Sequence, residues 1–521
     1  MAVDSSRRLC LQTLLAAPVS AGLTAPWFIR HAFAQDAHSY FALGIASGEP
    51  TAQSIVLWTR LTGDELPLSV DVHWELADDE DFKRIVAKGD SVAEDAWGHS
   101  VHVEVAHLKP ARPYWYRFQA LGQQSATGLT RTAPAVDSGT SARFVVASCQ
   151  RWDHGHFAAW RHAAESKPDF ILFLGDYIYE GASPADRIRL HEGGHTRSLA
   201  QYRQRYAQYK SDPALQAAHA IAPWLAIWDD HEVENDYAGL QGQFLQKRFP
   251  EQRAAAYQAY WENMPLPLAM RPDLLPQGAF MPLYRQLEWG RLASIQLLDT
   301  RQFRHPQACS RIGKGGTNTV TLADCPDLDR PDRSFLGLAQ ERWLHDKWAS
   351  NASFKRPWNL LAQPTLMSRW SWTDPSTGSA GTYWTDGWDG YMQSRQRLLQ
   401  GLTDQKVKGA VVLGGDIHAH YVSDLHLNFD KPQATPVATE FCGTSISSQG
   451  MSNLRVQAAI PFNPHVHYAR SDRRGYMVFE IDAQEMTTRL MGVKNPRNPR
   501  SSVETLAEFV VDAKQAGAIK N

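Results

Sequence analysis

The 521-residue chain is short of the features that mark several common classes of protein. Cysteine is sparse, at five residues, which excludes the dense disulfide framework of small secreted scaffolds. Neither sign of charge dominates, with 53 basic residues against 55 acidic ones. No basic face of the kind that binds nucleic acid is therefore expected. Past the N-terminal leader, no stretch reaches the ~18 uninterrupted apolar residues that a membrane span needs. Internal repeats and low-complexity tracts are missing, which excludes solenoids and arrays. What is there is a chain 43% hydrophobic, enough for a globular core and long enough for two domains. Tryptophan is frequent, at 18 residues, but its high average burial makes that a statement about packing.

The first 34 residues are expected to lie outside the fold. Ser6-Arg7-Arg8-Leu9-Cys10-Leu11 resembles a twin-arginine export signal, although Cys10 stands where Phe is more usual. An apolar stretch, Leu14 to Leu23, follows, and Ala32-Phe33-Ala34 reads as a cleavage site. A general secretory signal or a disordered tail is the alternative. The twin-arginine reading implies a translocase partner during export, passage in the folded state, and a periplasmic or secreted protein. Removing these residues leaves a net charge of about −4. Cys309 and Cys325 flank a loop rich in Gly, Asn and Thr and are the natural disulfide pair in an oxidising compartment. Cys442, at the end of Val437–Phe441, reads as a buried core thiol.

Residues 38–136 read as all-β. Strands are expected at Ser54–Arg60, Leu68–Glu75, Ser100–Val105 and Tyr114–Phe118, with turns at Ser47–Pro50 and Leu108–Pro113. Short strands with turn signals between them suggest a small sandwich of the fibronectin III or immunoglobulin type. It carries no catalytic cluster. From residue 143 to 521 strands and helices alternate, the pattern of a large α/β domain. Helices are expected at His156–Glu165, Leu199–Lys210, Leu336–Ala349 and Gln393–Leu402, and further strands at Leu292–Leu298, Trp358–Ala362 and Tyr476–Ile481. Tyr202, Tyr206 and Tyr209 fall at helical spacing and read as a core stripe.

Four motifs each follow an apolar, strand-like run: Ser148-Cys149-Gln150, Gly175-Asp176-Tyr177-Ile178-Tyr179-Glu180, Asp229-Asp230-His231-Glu232 and Gly414-Gly415-Asp416-Ile417-His418. In an α/β fold the strand ends share one edge, and ligands bind there. Four such groups make a nest of hard oxygen ligands with softer N and S among them, a place for more than one metal ion. Asp176 after a glycine can bridge two cations. Tyr179 offers a hard anionic oxygen suited to ferric iron. Burying four consecutive ionisable groups at 229–232 without a counter-ion is costly. Asp230 reads as a ligand, and His231 as a general acid or a binder of substrate anion. Asp416 and His418 point the same way if their strand continues, and His420 extends the alternation as a supporting partner. Cys149 is a ligand, a nucleophile or an inert buried thiol. Arg301, in Leu298-Asp299-Thr300-Arg301, either recognises phosphate or pairs with Asp299.

Taken together and in order, these motifs resemble the PhoD family of alkaline phosphatases, within the metallophosphoesterase superfamily. Gly44–Pro50 and Val56–Arg60 resemble the family's N-terminal signature, with Glu49 where Asp is more frequent. The resemblance implies an α/β/β/α metallophosphoesterase sandwich behind the small β domain. It implies ferric iron on Cys149, Asp176, Tyr179 and His418, and calcium on Asp176, Asp230 and Asp416. Asn235 adds a calcium ligand, or Asp236 serves instead. It also implies that Arg301 binds phosphate, with His231 beside it. The activity implied is hydrolysis of phosphate monoesters and diesters by a monomer. Two rivals are a phospholipase D-like hydrolase of lipid headgroups and a non-catalytic exported binding protein.

Overall fold

A computed structural model describes residues 39–275, 278–351, 356–374 and 381–521. The expected signal at 1–34 lies outside the described residues. Two large sheets stack face to face. The first has ten strands, and its centre is three parallel strands, Ala142–Ala147, Phe170–Leu174 and Trp224–Ile227. An antiparallel meander, Arg474–Ile481, Glu485–Val493, Val503–Asp512 and Gln515–Lys520, extends one side. The second sheet has seven strands. Its parallel centre is Ala293–Leu297, Trp358–Ala362, Ala410–Gly414 and Ala438–Cys442.

The central strands are apolar throughout because both of their faces are buried. Side chains alternate between faces along a strand. In Ala410–Gly414, Val411 and Leu413 join the core between the sheets, while Val412 joins the core under the outer helices. The helices Leu338–Asn351 and Met392–Asp404 cover that outer face. Ala158–Glu165, Pro213–Ile221 and Phe249–Asn263 cover the outer face of the first sheet. The layers are thus helix, sheet, sheet, helix. Aromatic rings cross the middle: Phe441 meets Phe479 edge-on at 5.5 Å, and Phe170 meets Trp289 at 4.8 Å. Among the described residues no helix is long and apolar enough to cross a membrane.

The N-terminal strands divide between two sheets. Ser69–Ala77, Ile85–Glu94, Pro113–Ala120, Gln123–Gln124 and Gly128–Arg131 form a five-stranded antiparallel sheet. Its apolar face packs on Ile55–Arg60 and Ser100–Val105 through Val72, Leu76 and Tyr116 against Leu57 and Val103. Those two strands are themselves hydrogen-bonded into the ten-stranded sheet, because Ile45–Gly48 pairs in parallel with Trp224–Ile227 through Gly48 and Trp224. Glu49 accepts from Arg285 Nε at 2.8 Å and ties this edge to the second sheet.

Candidate metal centre

The parallel pairing sets Val146 opposite Leu172 and Phe173 opposite Ala226, so neighbouring strands end nearly level. The loops that leave them converge with the loop after Ala410–Gly414 from the other sheet. Two glycines permit the approach. Gly175 has φ +93°, and a Cβ there would lie 2.6 Å from Asp229 N. A Cβ on Gly415 would lie 2.3 Å from Ser148 Oγ, so only hydrogen fits where the two sheets' loops meet. Cys149, Asp176, Asp236, Asp416 and His418 all adopt left-handed backbone, with φ of 59°, 60°, 56°, 63° and 55°. Non-glycine residues rarely do so, and such strain gathers where side chains must be aimed.

The aim is convergent. Cys149 Sγ, a carboxylate oxygen of Asp176 and a ring nitrogen of His418 lie within 4.8 Å of one another. Asp176, Asp230 and His231 form a second group of the same span, so Asp176 belongs to both. Tyr179 Oη donates to Asp176 Oδ2 at 2.7 Å, lies 3.2 Å from His418 Nε2, and accepts from Ser448 Oγ at 2.8 Å. Asp416 is half-buried and accepts from Thr365 Oγ1 at 2.7 Å; burial and the charges of Asp229 and Asp230 push its carboxyl well above the ordinary range.

The electrostatics of this nest call for positive charge. Asp176 Oδ1, Asp229 Oδ2 and Asp230 Oδ1 are buried without a hydrogen-bond partner. Unpaired buried carboxylate oxygens are expensive. Burial raises Asp176 well above its usual value, with Asp230 and Asp229 adding to the effect and His231 opposing it. Burial, then Asp176 and Asp416, raises the Cys149 thiol in the same way. A cation between these groups reverses that balance. Burial, then Arg474, holds His418 down at about 3, so its imidazole is neutral, the form that ligates. Carboxylates, a phenol, an imidazole and a thiol could hold cations at one softer position and one oxygen-rich position that share Asp176.

Around this nest the remaining motif residues are fixed by one another. His231 Nδ1 lies 2.7 Å from Glu180 Oε2, and its ring rests 4.1 Å from that of Tyr179. Burial opposes its charge, but Glu180, Asp176 and Asp230 outweigh that and raise it well above the ordinary imidazole value. Glu232 accepts the backbone N–H groups of Tyr177 and Asp229, locking two loops together. Asn235 is half-buried, and its backbone N–H donates to Glu180 Oε1 at 3.0 Å. Asp236, the alternative ligand, gathers with Asp230 and Asp386.

Arg301 lies behind the nest and is 1% exposed. Its guanidinium donates to Asp229 Oδ1 at 2.5 Å and to Asp386 Oδ1 at 3.1 Å, and approaches Asp230 Oδ2 at 3.6 Å. Asp299 takes the backbone N–H of Arg301 instead of its side chain, at 2.9 Å, so the alternative of an ion pair with Asp299 gives way to a turn contact. His420 also departs from expectation. The strand stops at Gly414, so no alternation carries His420 to the nest; Thr444 N donates to its Nδ1 at 3.2 Å. Asp386, Ser448 and Thr365 escape the sequence reading. Ser448 follows the apolar strand Ala438–Cys442 within a run of polar residues, the same signal that marks the other loops.

The family model described as "PhoD-like phosphatase" matches residues 144–490, and that of its N-terminal domain matches residues 29–134. The chain is 38% identical over 498 residues to alkaline phosphatase D of Bacillus subtilis (strain 168), covering 92% of this chain and 82% of that protein. A solved structure of PhoD superposes with a TM-score of 0.86 at 37% identity, over 94% of this chain and 93% of the other. A purple acid phosphatase from yellow lupin seeds shares the fold at a TM-score of 0.55 and 11% identity, over 90% and 74% of the two chains. The sandwich of mixed sheets is therefore metallophosphoesterase-like, and the chain belongs to the PhoD-like phosphatase family.

Proposed function

We propose that this protein hydrolyses phosphate monoesters and diesters at a centre that takes ferric iron and calcium, after export by the twin-arginine route. The observation that carries the metal-dependent part is the trio of buried, unpartnered oxygens on Asp176, Asp229 and Asp230. The name and identity of the B. subtilis relative support the reaction class. Cys149, Asp176, Tyr179 and His418 would hold iron; Asp176, Asp230 and Asp416, with Asn235 or Asp236, would hold calcium. Ions held there supply Lewis acidity to the phosphoryl oxygens and lower the pKa of an attacking water. His231, oriented by Glu180, faces the same ligands and, when protonated, can meet the phosphoryl anion or give a proton to the leaving oxygen. Arg301 is the positive charge behind Asp229 and Asp230 and would meet the charge of the phosphoryl group.

The Cys309–Cys325 bond suits an oxidising compartment. Residues 39–136 would serve as a structural flank that shares a sheet with the catalytic part. The test is hydrolysis of chromogenic phosphate monoesters and diesters by the purified protein, with and without chelator. Turnover of both that chelation abolishes is expected. Turnover of neither, in metal-loaded protein, would remove the reading.

A further inference from the structure

The loop after the strand Ala438–Cys442 carries no proposed ligand, yet it touches three of them. Gln449 O lies 2.8 Å from His418 Nδ1, so that nitrogen bears the hydrogen and Nε2 is left to face the nest. Cys149 O accepts from the backbone N–H groups of Ser447 and Ser448, at 3.4 and 3.3 Å. Ser448 Oγ lies 2.8 Å from Tyr179 Oη and 2.8 Å from Cys149 O. The loop is gripped from behind. Arg474, 5% exposed, donates to Ser445 Oγ at 3.0 Å, to Ser448 O and to Ser471 O. A Cβ on Gly450 would lie 2.5 Å from His418 O, so the loop runs flush against the His418 backbone.

We propose that Ser448 is a positioning residue for the iron position: its hydroxyl fixes the Tyr179 oxygen and, by donating to it, tempers the negative charge that this oxygen offers a cation. The inference rests on the reading of Cys149, Tyr179 and His418 as ligands and adds what holds them. Ser448 has one hydroxyl hydrogen and two acceptors within reach. Cys149 O already has two N–H donors and can spare that hydrogen. The Tyr179 oxygen is the stronger acceptor once it is a phenolate, because hydrogen bonds to an ionised acceptor are about twice as strong. Arg151 N donates to Ser448 Oγ at 3.1 Å while Arg474 pins the carbonyl of the same residue, so the buried hydroxyl is held from both ends. Outer contacts of this kind orient ligands, and losing one costs about tenfold to a hundredfold in metal affinity. Ser447 is the internal control. It is equally buried, and its hydroxyl donates to Arg151 O at 2.8 Å instead of to a ligand side chain.

Metal-free wild type, Ser448→Ala and Ser447→Ala are loaded with ferric iron and calcium. Iron affinity, read by competition with a chelator, is expected to fall about tenfold in Ser448→Ala and to keep its wild-type value in Ser447→Ala. The visible charge-transfer band is expected to move to longer wavelength in Ser448→Ala alone, because a phenolate without that hydrogen bond gives up charge more readily. Thermal unfolding of the metal-free variants, expected to be lowered alike in both, shows that losing a buried hydrogen bond does not by itself produce those changes. Resonance Raman spectra excited in the band, in ordinary and heavy water, need only wild type; phenolate vibrations that shift on deuteration are expected. A band and an affinity in Ser448→Ala equal to wild type, equal changes in both variants, or wild-type vibrations indifferent to heavy water would each overturn the role of the hydroxyl while leaving the ligand set standing. Iron-loaded wild type without phenolate vibrations would overturn the ligand reading of Tyr179, and the role of Ser448 with it.

Discussion

Tyr179 Oη lies 2.7 Å from Asp176 Oδ2 and 3.2 Å from His418 Nε2, so one phenol oxygen joins the end of a first-sheet strand to the loop of the second sheet. The two residues sit three apart in one loop, and the third comes from the far side of the sandwich. The phenol, the thiol of Cys149 and the imidazole of His418 surround Asp176, and under the proposed function this set would hold iron. Tyr179→Phe is expected to weaken or shift the visible charge-transfer absorption of the loaded protein, to lower its iron content and to cut kcat, with little change in fold. Visible spectra with metal analysis on the same preparation check it. An unchanged band would remove Tyr179 from the ligands.

Arg301 sits among Asp229, Asp230 and Asp386, and removing it takes the guanidinium from the buried carboxylates of Asp229 and Asp230, while Asp386 keeps Arg304 and Gln307. Arg301→Ala is expected to cost about 3–5 kcal/mol of stability, the penalty for breaking a buried charge network from one side. Asp229→Asn in the same chain should return part of that loss, because Asp229 accepts from the Arg301 side chain and fewer charges are then left unpaired. Denaturant unfolding of the two single variants and the double variant reads both effects. Additive losses would show that the pair does not interact.

Gly175→Ala is expected to abolish metal binding before it abolishes folding. The backbone there is left-handed, and the new methyl would collide with the Asp229 backbone. The loop must move, and Asp176 and Asp229 move with it. Metal content and thermal unfolding of the variant separate the two losses. Full metal loading would show that the loop absorbs the methyl in place.

Cys309 and Cys325 are joined across a sequence separation of 16. Closing a loop of this length contributes roughly 3 kcal/mol in the chain-entropy model. Cys309→Ser should lower stability by about that amount, and mass mapping of a non-reduced digest should show the linked peptides. Free thiols at both positions would refute the bond.

The candidate site stood out in the sequence more than the scaffold did, for a physical reason. Strands such as Phe170–Leu174 and Ala410–Gly414 are buried on both faces, so each is a plain apolar run, and the charged residues after it stand out. The convergence of Asp416 and His418 had a different cause from the one expected. Pleat alternation does not align them; a turn with two left-handed residues does. Asp386 was hidden because it follows a three-residue strand and lies between Thr385 and Gly387, where no apolar run announces it. The helix Pro213–Ile221 carried a start signal that went unused: Asp212 caps Ala214 and Leu215 ahead of Pro213. The helix Phe249–Asn263 is buried on most sides, with Tyr257, Tyr260 and Trp261 all inside, so no apolar stripe stood out. The meander from Glu485 to Lys520 has half-buried strands, whose alternation with Thr, Arg and Glu reads as polar chain.

The central claim is that a thiolate and a phenolate hold ferric iron next to calcium and that hydrolysis depends on both ions. The most direct measurement is elemental analysis of protein exported through its own signal, with the visible spectrum and phosphodiester turnover recorded on the same sample. Iron and calcium together, a visible band that Cys149→Ala and Tyr179→Phe each diminish, and turnover that follows the metal content are expected. A colourless, iron-free protein with full activity would contradict the account.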